Sequence, residues 1–368
     1  MTMPQRQAES YAQQLSQKAY YLQELLSQFQ APEAEIFDSP PAGFRMRAEF
    51  KIWHQEQTAS YAMYRPGEYK KPYSIEDFPP GSDLINQLMP PLLEAINRTP
   101  LLRLKLFQAE FLTTLSGEAV ITLIYHKHLT DEWEATAREL QQSLRTLAPV
   151  YLIGRSRKQK RVLDRDYVIE TLKVGSREFR YQQIETGFTQ PNAQVCQKML
   201  SWAVKHTEEF GGDLLELYCG NGNFTLPLAQ NFKRVLATEL AKNSVQSAHY
   251  NMQLNNTENI DIVRMSSEEF AQAWRGVRPF RRLRHIDLQS YEFSTLLVDP
   301  PRSGVDEHSL DIAQDFDNIV YISCNPATLK RDLQTLDSSH RIEHLALFDQ
   351  FPFTPHIECG VILKKRSA

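Results

Sequence analysis

The chain has 368 residues, 42% hydrophobic and 23% charged, with a formal net charge of −4. This is the composition of a soluble globular protein too long for one ordinary core, so two domains are expected, and the acidic balance argues against a generic nucleic-acid coating protein. The four cysteines, Cys196, Cys219, Cys324 and Cys359, are too few and scattered for a disulfide scaffold and leave no cysteine-ligated cluster in the N-terminal half.

Residues 7–30 carry apolar side chains at helical spacing (Tyr11, Leu15, Leu22, Leu25, Leu26, Phe29), which predicts an amphipathic packing helix. Neither this Gln- and Glu-rich start nor any later segment has the apolar run of a signal peptide or a bilayer span, so a cytoplasmic, membrane-free protein is expected. Strand-like stretches follow at 46–54, 60–64, 102–111 and 119–126. Helices fit 82–97 and 131–147, the second with Asp131 as its N-cap. Residues 1–180 therefore read as an α+β domain.

Within it Arg45, Arg47 and Lys51 alternate with Met46, Ala48 and Phe50, which puts the cations on one strand face. Phe107 and His126 on later strands offer stacking surfaces for unpaired bases, although a strand phenylalanine is more often core. Residues 151–161 and 274–286 each hold five lysines or arginines and no acid. Such patches suit docking of a folded RNA, and equally suit solvated loops.

A hairpin turning at Gly175-Ser176 ends the first half, and the turn-rich Gly187 to Asn192 segment marks the join to a second domain, 181–368. From 213 onward strands are expected at 213–217, 234–239, 259–265, 294–299, 318–323, 341–348 and 358–364, with helices between. That alternation predicts an α/β fold, a Rossmann-like, mostly parallel sheet of seven strands. If the last two strands form a hairpin, the final strand is antiparallel and Glu358 starts on the rim where the other strands end.

The distinctive groups gather on that rim, where open α/β sheets bind ligands. The first strand runs into Tyr218-Cys219-Gly220-Asn221-Gly222-Asn223, the second ends at Glu239, the fourth at Asp299 and the fifth at Ser323-Cys324-Asn325-Pro326. Cys324 falls on a strand-to-helix turn where N–H groups favour a thiolate, whereas a lone cysteine is by default a small buried apolar residue. Thr225 stands where a dinucleotide fingerprint needs its third glycine. A glycine turn, a ribose-gripping Glu239 and further acids instead suit the cationic sulfonium of S-adenosylmethionine.

Phe188-Thr189-Gln190-Pro191-Asn192, the Leu217 to Phe224 motif, Asp299-Pro300-Pro301-Arg302-Ser303-Gly304, Ser323-Cys324-Asn325-Pro326 and His356-Ile357-Glu358 resemble, in order, the motifs of the RNA uracil-5-methyltransferases. The N-terminal half resembles the branch that makes ribothymidine at uridine 54 of the transfer-RNA T-loop. The resemblance implies a Rossmann-like S-adenosylmethionine-dependent methyltransferase domain beside an N-terminal α+β RNA-recognition domain. It assigns Cys324 as nucleophile toward C6 of a flipped-out uridine and Glu358 as the base that removes the C5 proton. It assigns Gln190, Tyr218, Gly220, Asn223, Glu239 and Asp299 to the cofactor, with Asp299 alternatively serving the uracil. Its expected partner is the tRNA T-arm, with no metal, no iron–sulfur cluster, no membrane and a monomeric state. Alternatives are C5 methylation of another T-loop-like RNA or ribosomal RNA, an amino-group methyltransferase in which Cys324 has no role, or an RNA-folding module.

Overall fold

The computed structural model describes residues 3–65, 67, 68 and 71–367. Two compact units divide it: residues 1–41, 172–181 and 194–368 form one, and residues 42–171 with 182–193 form the other. The join expected near 181 thus lies within a stretch that passes back and forth between the units. The first helix, expected in the N-terminal domain, belongs to the unit that holds the C-terminal half.

The chain opens with α1 (Met3–Leu26) and β1 (Glu35–Phe37). The smaller unit then contributes β2 (Arg47–Gln55), β3 (Thr58–Tyr64), β4 (Pro72–Ile75), α2 (Asp83–Arg98), α3 (Pro100–Arg103), β5 (Leu106–Thr113), β6 (Ala119–Tyr125), α4 (Asp131–Leu144), β7 (Val150–Ser156) and β8 (Gln159–Val162). Its seven strands run in the order β4-β3-β2-β5-β6-β7-β8. Only the β6–β7 pair is parallel, across the α4 crossover. Phe50, Tyr61, Leu88, Phe111 and Trp133 meet in one apolar core.

Two local expectations fail here for identifiable reasons. Residues 100–103 coil into α3 because Pro100 fixes a helical φ at a first-turn position, so the strand begins at Leu106 rather than 102. Thr130, not Asp131, caps α4: its Oγ1 accepts from Trp133 N at 3.2 Å, leaving Asp131 as the first helical residue beside the positive helix end.

A two-stranded hairpin, β9 (Tyr167–Val174) and β10 (Arg177–Ile184), follows. The larger unit continues with α5 (Ala193–Thr207), β11 (Asp213–Leu217), α6 (Thr225–Leu228), β12 (Val235–Glu239), α7 (Lys242–Leu254), β13 (Ile260–Arg264), α8 (Ser267–Trp274), β14 (Phe293–Val298), α9 (Glu307–Ala313), β15 (Asn318–Ser323), α10 (Pro326–Leu336), β16 (His340–Phe348) and β17 (Glu358–Lys365). The sheet order is β1-β16-β17-β15-β14-β11-β12-β13, with β17 antiparallel to both neighbours and every other pair parallel.

The sheet has eight strands rather than the expected seven, because β1 adds to the edge of β16 through three residues. A strand that short, with Ile36 exposed, carries no alternation a sequence reading could detect. Leu22 and Leu26 of α1 pack into the same core as Leu296, Tyr321 and Leu333. Among the described residues no helix is long and apolar enough to cross a membrane.

Candidate active site

The glycine turn follows β11 with three left-handed residues, Tyr218 (φ +63°), Gly220 (φ +57°) and Gly222 (φ +85°). A bulky residue at positive φ is uncommon and is held by its surroundings. The Tyr218 hydroxyl donates to Asp306 Oδ2 at 3.0 Å, and Ser267 Oγ lies 2.7 Å from the same oxygen. A Cβ placed on Gly220 meets nothing within 4 Å, so this glycine serves conformation and leaves open space over the turn.

Glu239, half-buried at the end of β12, accepts from Gly220 N (3.0 Å) and Ala241 N (2.7 Å). One carboxylate thereby locks the turn to the neighbouring strand. The Asn223 side chain pairs with Cys196, Nδ2 lying 3.5 Å from Sγ. Beneath the turn, burial pushes the Glu216 carboxyl up to about 8, with Asp299 and Glu239 adding to the shift. Three acidic groups crowded beside a glycine turn favour a cationic ligand, which would draw them toward their ionised forms. The open turn and these acids fit S-adenosylmethionine.

Asp299 follows β14, half-buried, and burial raises its carboxyl to about 7. The loop after it is strapped to α10. Val305 N donates to Asp332 Oδ2 (3.0 Å), Arg331 Nη2 to Ser303 O (3.0 Å) and Asn325 Nδ2 to Arg302 O (3.1 Å). Gly304 (φ +84°) is required there, since a Cβ would approach Asp332 Oδ2 to 2.7 Å.

Cys324 sits between β15 and α10, where Asn325 Oδ1 caps the helix by accepting from Ala327 N (3.2 Å) and Pro326 occupies the first turn. Its side chain is exposed to a cleft of about 630 Å³ lined by Arg302, Cys324, Asn325, His356, Gln17 and Tyr21. The expected thiolate is not what the surroundings favour. Partial desolvation of the sulfur at the cleft wall, reinforced by Glu358 and Asp299, raises the thiol to about 11, opposed by a backbone hydrogen bond and by Arg302. A three-turn helix offers fractional positive charge, and two nearby carboxyls outweigh it.

Ser323 pairs with Cys359 in the antiparallel ladder, so Cys324 and Glu358 occupy the next opposed positions. Glu358 also pairs with Phe348 on its other side and is only 4% exposed. Burial, reinforced by Asp299, holds its carboxyl well above the usual range. The remaining cysteines are buried.

The α1 helix, expected only to pack, also shapes this cleft. Buried Lys18 donates to Asp349 Oδ1 (2.7 Å) and Phe351 O (3.0 Å), and Gln14 Oε1 accepts from Phe353 N (2.6 Å). Both hold the 349–357 loop that leads into Glu358. The available signal was a lysine on the helix face otherwise occupied by Tyr11, Leu22 and Leu26.

Among the other sequence candidates, Gln190 is half-buried in the 182–193 segment of the smaller unit. In that unit Arg47 donates through both terminal nitrogens, to Glu185 O (2.5 Å) and Gly187 O (2.9 Å), and Arg45 donates through Nε to Arg47 O (2.9 Å). The cationic strand face also carries exposed Glu49, paired across the sheet with Glu110. Lys51, Phe107 and His126 come together: the two rings stack at 4.4 Å and Lys51 Nζ lies 4.0 Å over Phe107.

The basic stretches are largely neutralised by acids distant in sequence. Arg155 and Lys160 pair with Glu185, Arg161 with Asp131 and Glu134, Arg275 with Asp311 and Asp315, and Arg282 with Glu269. Arg157, Lys158, Arg281 and Arg284 remain exposed.

A parallel sheet with its final strand reversed beside the fifth, and its polar groups on one rim, is the fold of the S-adenosylmethionine-dependent methyltransferases. Residues 10–366 match the family model of tRNA (Uracil-5-)-methyltransferase, and the chain belongs to that family. It is similar to proteins named tRNA/tmRNA (uracil-C(5))-methyltransferase. The one from Cellvibrio japonicus is 57% identical over 371 residues, covering 100% of both chains. The one from Vibrio vulnificus strain CMCP6 is 52% identical over 367 residues, covering 99% of this chain and 98% of its own. Among solved structures, the Pyrococcus abyssi tRNA (uracil-54, C5)-methyltransferase in complex with S-adenosyl-L-homocysteine shares the fold. Its TM-score is 0.72 at 21% identity, over 96% of this chain and 83% of that one.

Proposed function

We propose that the protein, acting as a monomer, methylates C5 of uridine 54 in the transfer-RNA T-loop through a covalent bond between Cys324 and C6 of the uracil. The observation that carries this reading is the ladder register that sets Cys324 opposite Glu358 at the rim. Gln190, Tyr218, Gly220, Asn223 and Glu239 hold the cofactor, and Asp299 serves either the cofactor or the uracil ring. Bound S-adenosylmethionine supplies an electrophilic methyl group.

Uracil C5 is a weak nucleophile, and addition of the Cys324 sulfur to C6 converts it into one by pushing the C5–C6 electron pair toward C5 and O4. Once C5 carries the methyl group, Glu358 accepts the C5 proton. The electron pair of that C–H bond re-forms the double bond, and the S–C6 bond breaks. A buried carboxyl with a raised proton affinity is suited to this role, provided it is ionised when the adduct forms. Activation of Cys324 requires loss of its proton. The positive charge of bound S-adenosylmethionine would offset the Glu358 and Asp299 contributions that, after burial, raise the thiol in the ligand-free protein.

Lys51, Phe107 and His126 form a cation-backed stacking platform for an unstacked base. Relatives whose names include tmRNA support a second substrate with a T-loop-like fold. Mapping of methylated nucleosides after reaction with a tRNA transcript tests the proposal. Product confined to position 54 and abolished by U54C supports it, and methylation elsewhere contradicts it.

A further inference from the structure

On the edge of the larger sheet, away from the rim residues already described, three potential ligands converge from three elements. Glu35 comes from β1, His206 from α5 and His344 from β16, and their donor atoms lie within 4.8 Å of one another. All three side chains are half-buried. The two imidazole rings are 3.9 Å apart, tilted by 34°, and His206 Nε2 is 2.7 Å from Glu35 Oε1. Trp202, one helical turn before His206, donates its indole N–H to the same oxygen at 2.9 Å.

We propose that Glu35, His206 and His344 form a binding site for a zinc-class divalent cation. Two imidazoles and one carboxylate are the donor set of borderline metals, whereas calcium and magnesium take oxygen-rich shells. The second shell is present, because Trp202 fixes the carboxylate that would bind the ion, as ligating groups in metal sites are commonly held. Lys205 Nζ, 3.9 Å from Glu35 Oε2 and on a side chain 69% exposed, is free to swing away when a cation arrives.

The consequence would be structural. β1 joins the sheet through three residues only, Glu35 to Ala346, Ile36 to Leu347 and Phe37 to Phe348. An ion shared by β1, α5 and β16 would clamp that edge strand and the segment leading from α1. Such a site would depart from the sequence expectation of a protein without a metal.

Full-length protein stripped with a chelator and titrated with zinc chloride tests the site. The expected result is one zinc per chain, a raised Tm, and cobalt substitution with d–d absorption lacking thiolate-to-cobalt charge transfer. His344→Gln should weaken zinc by about tenfold or more, while Cys324→Ala leaves it unchanged. Should His344→Gln fail to fold, Glu35→Gln on the edge strand replaces it. No binding, or binding that survives the histidine change and is lost in Cys324→Ala, overturns the proposal.

Discussion

Glu358 stands opposite Cys324, one step beyond the last registered pair, Ser323 with Cys359, where β15 and β17 meet the rim. The reversal of β17 creates this relationship, because in a wholly parallel sheet the start of the last strand would lie at the other edge from the end of β15. Both groups favour their protonated forms, the thiol at about 11 and the carboxyl well above its usual range.

Replacing the proposed base would separate the two halves of the proposed reaction. Glu358→Gln preserves shape and removes proton-accepting power, so methyl transfer should proceed while release of Cys324 slows by about 10²–10⁴-fold. Gel-shift of a denaturation-resistant protein–tRNA species reads this out. Turnover at the native rate with no accumulating adduct would remove Glu358 from the proposed role.

The raised thiol predicts a pH profile for alkylation of Cys324 in the ligand-free protein. Below about 11 the neutral thiol dominates, so the iodoacetamide rate should climb about tenfold per pH unit between about 7 and 10. Asp299→Asn removes a carboxyl that disfavours the thiolate, so its profile should move to lower pH. An unmoved profile would show that Asp299 does not act on the sulfur.

Lys18 and Asp349 are both buried, at 5% and 0% side-chain exposure. Lys18→Met leaves an uncompensated acid and should cost about 3–5 kcal/mol in chemical unfolding. Lys18→Met with Asp349→Leu should recover most of it. Because Lys18 also holds Phe351 O, the single variant should lose adduct formation even at temperatures where it stays folded.

The stacked pair in the smaller unit makes a prediction about binding alone. Phe107→Ala should weaken tRNA binding by about 1–3 kcal/mol, raising KM while leaving the alkylation rate of Cys324 unchanged. Equal KM values for the two proteins would return Phe107 to a packing role.

The C-terminal rim was legible in the sequence because strand-end motifs sit beside their own strands: the glycine turn after β11, Glu239 on β12 and Cys324 after β15 each follow an apolar run. Three features were not. Arg47 and Arg155 read as free cations because their acceptors are remote in sequence: Glu185 and Gly187 lie 138 and 140 residues from Arg47, and Glu185 lies 30 residues from Arg155. β1 escaped notice because three residues have no period. The raised proton affinity of the Cys324 thiol escaped notice because its causes, burial first and then Glu358 and Asp299, are brought to the sulfur by strand order rather than by sequence proximity.

The covalent mechanism is tested most directly by incubation with S-adenosylmethionine and a T-arm RNA carrying 5-fluorouridine at position 54, where fluorine cannot leave as a proton does. The expected result is a denaturation-resistant adduct whose crosslinked peptide contains Cys324 and which Cys324→Ala abolishes. An adduct that still forms in Cys324→Ala, or full methylation of ordinary tRNA by that variant, would contradict it.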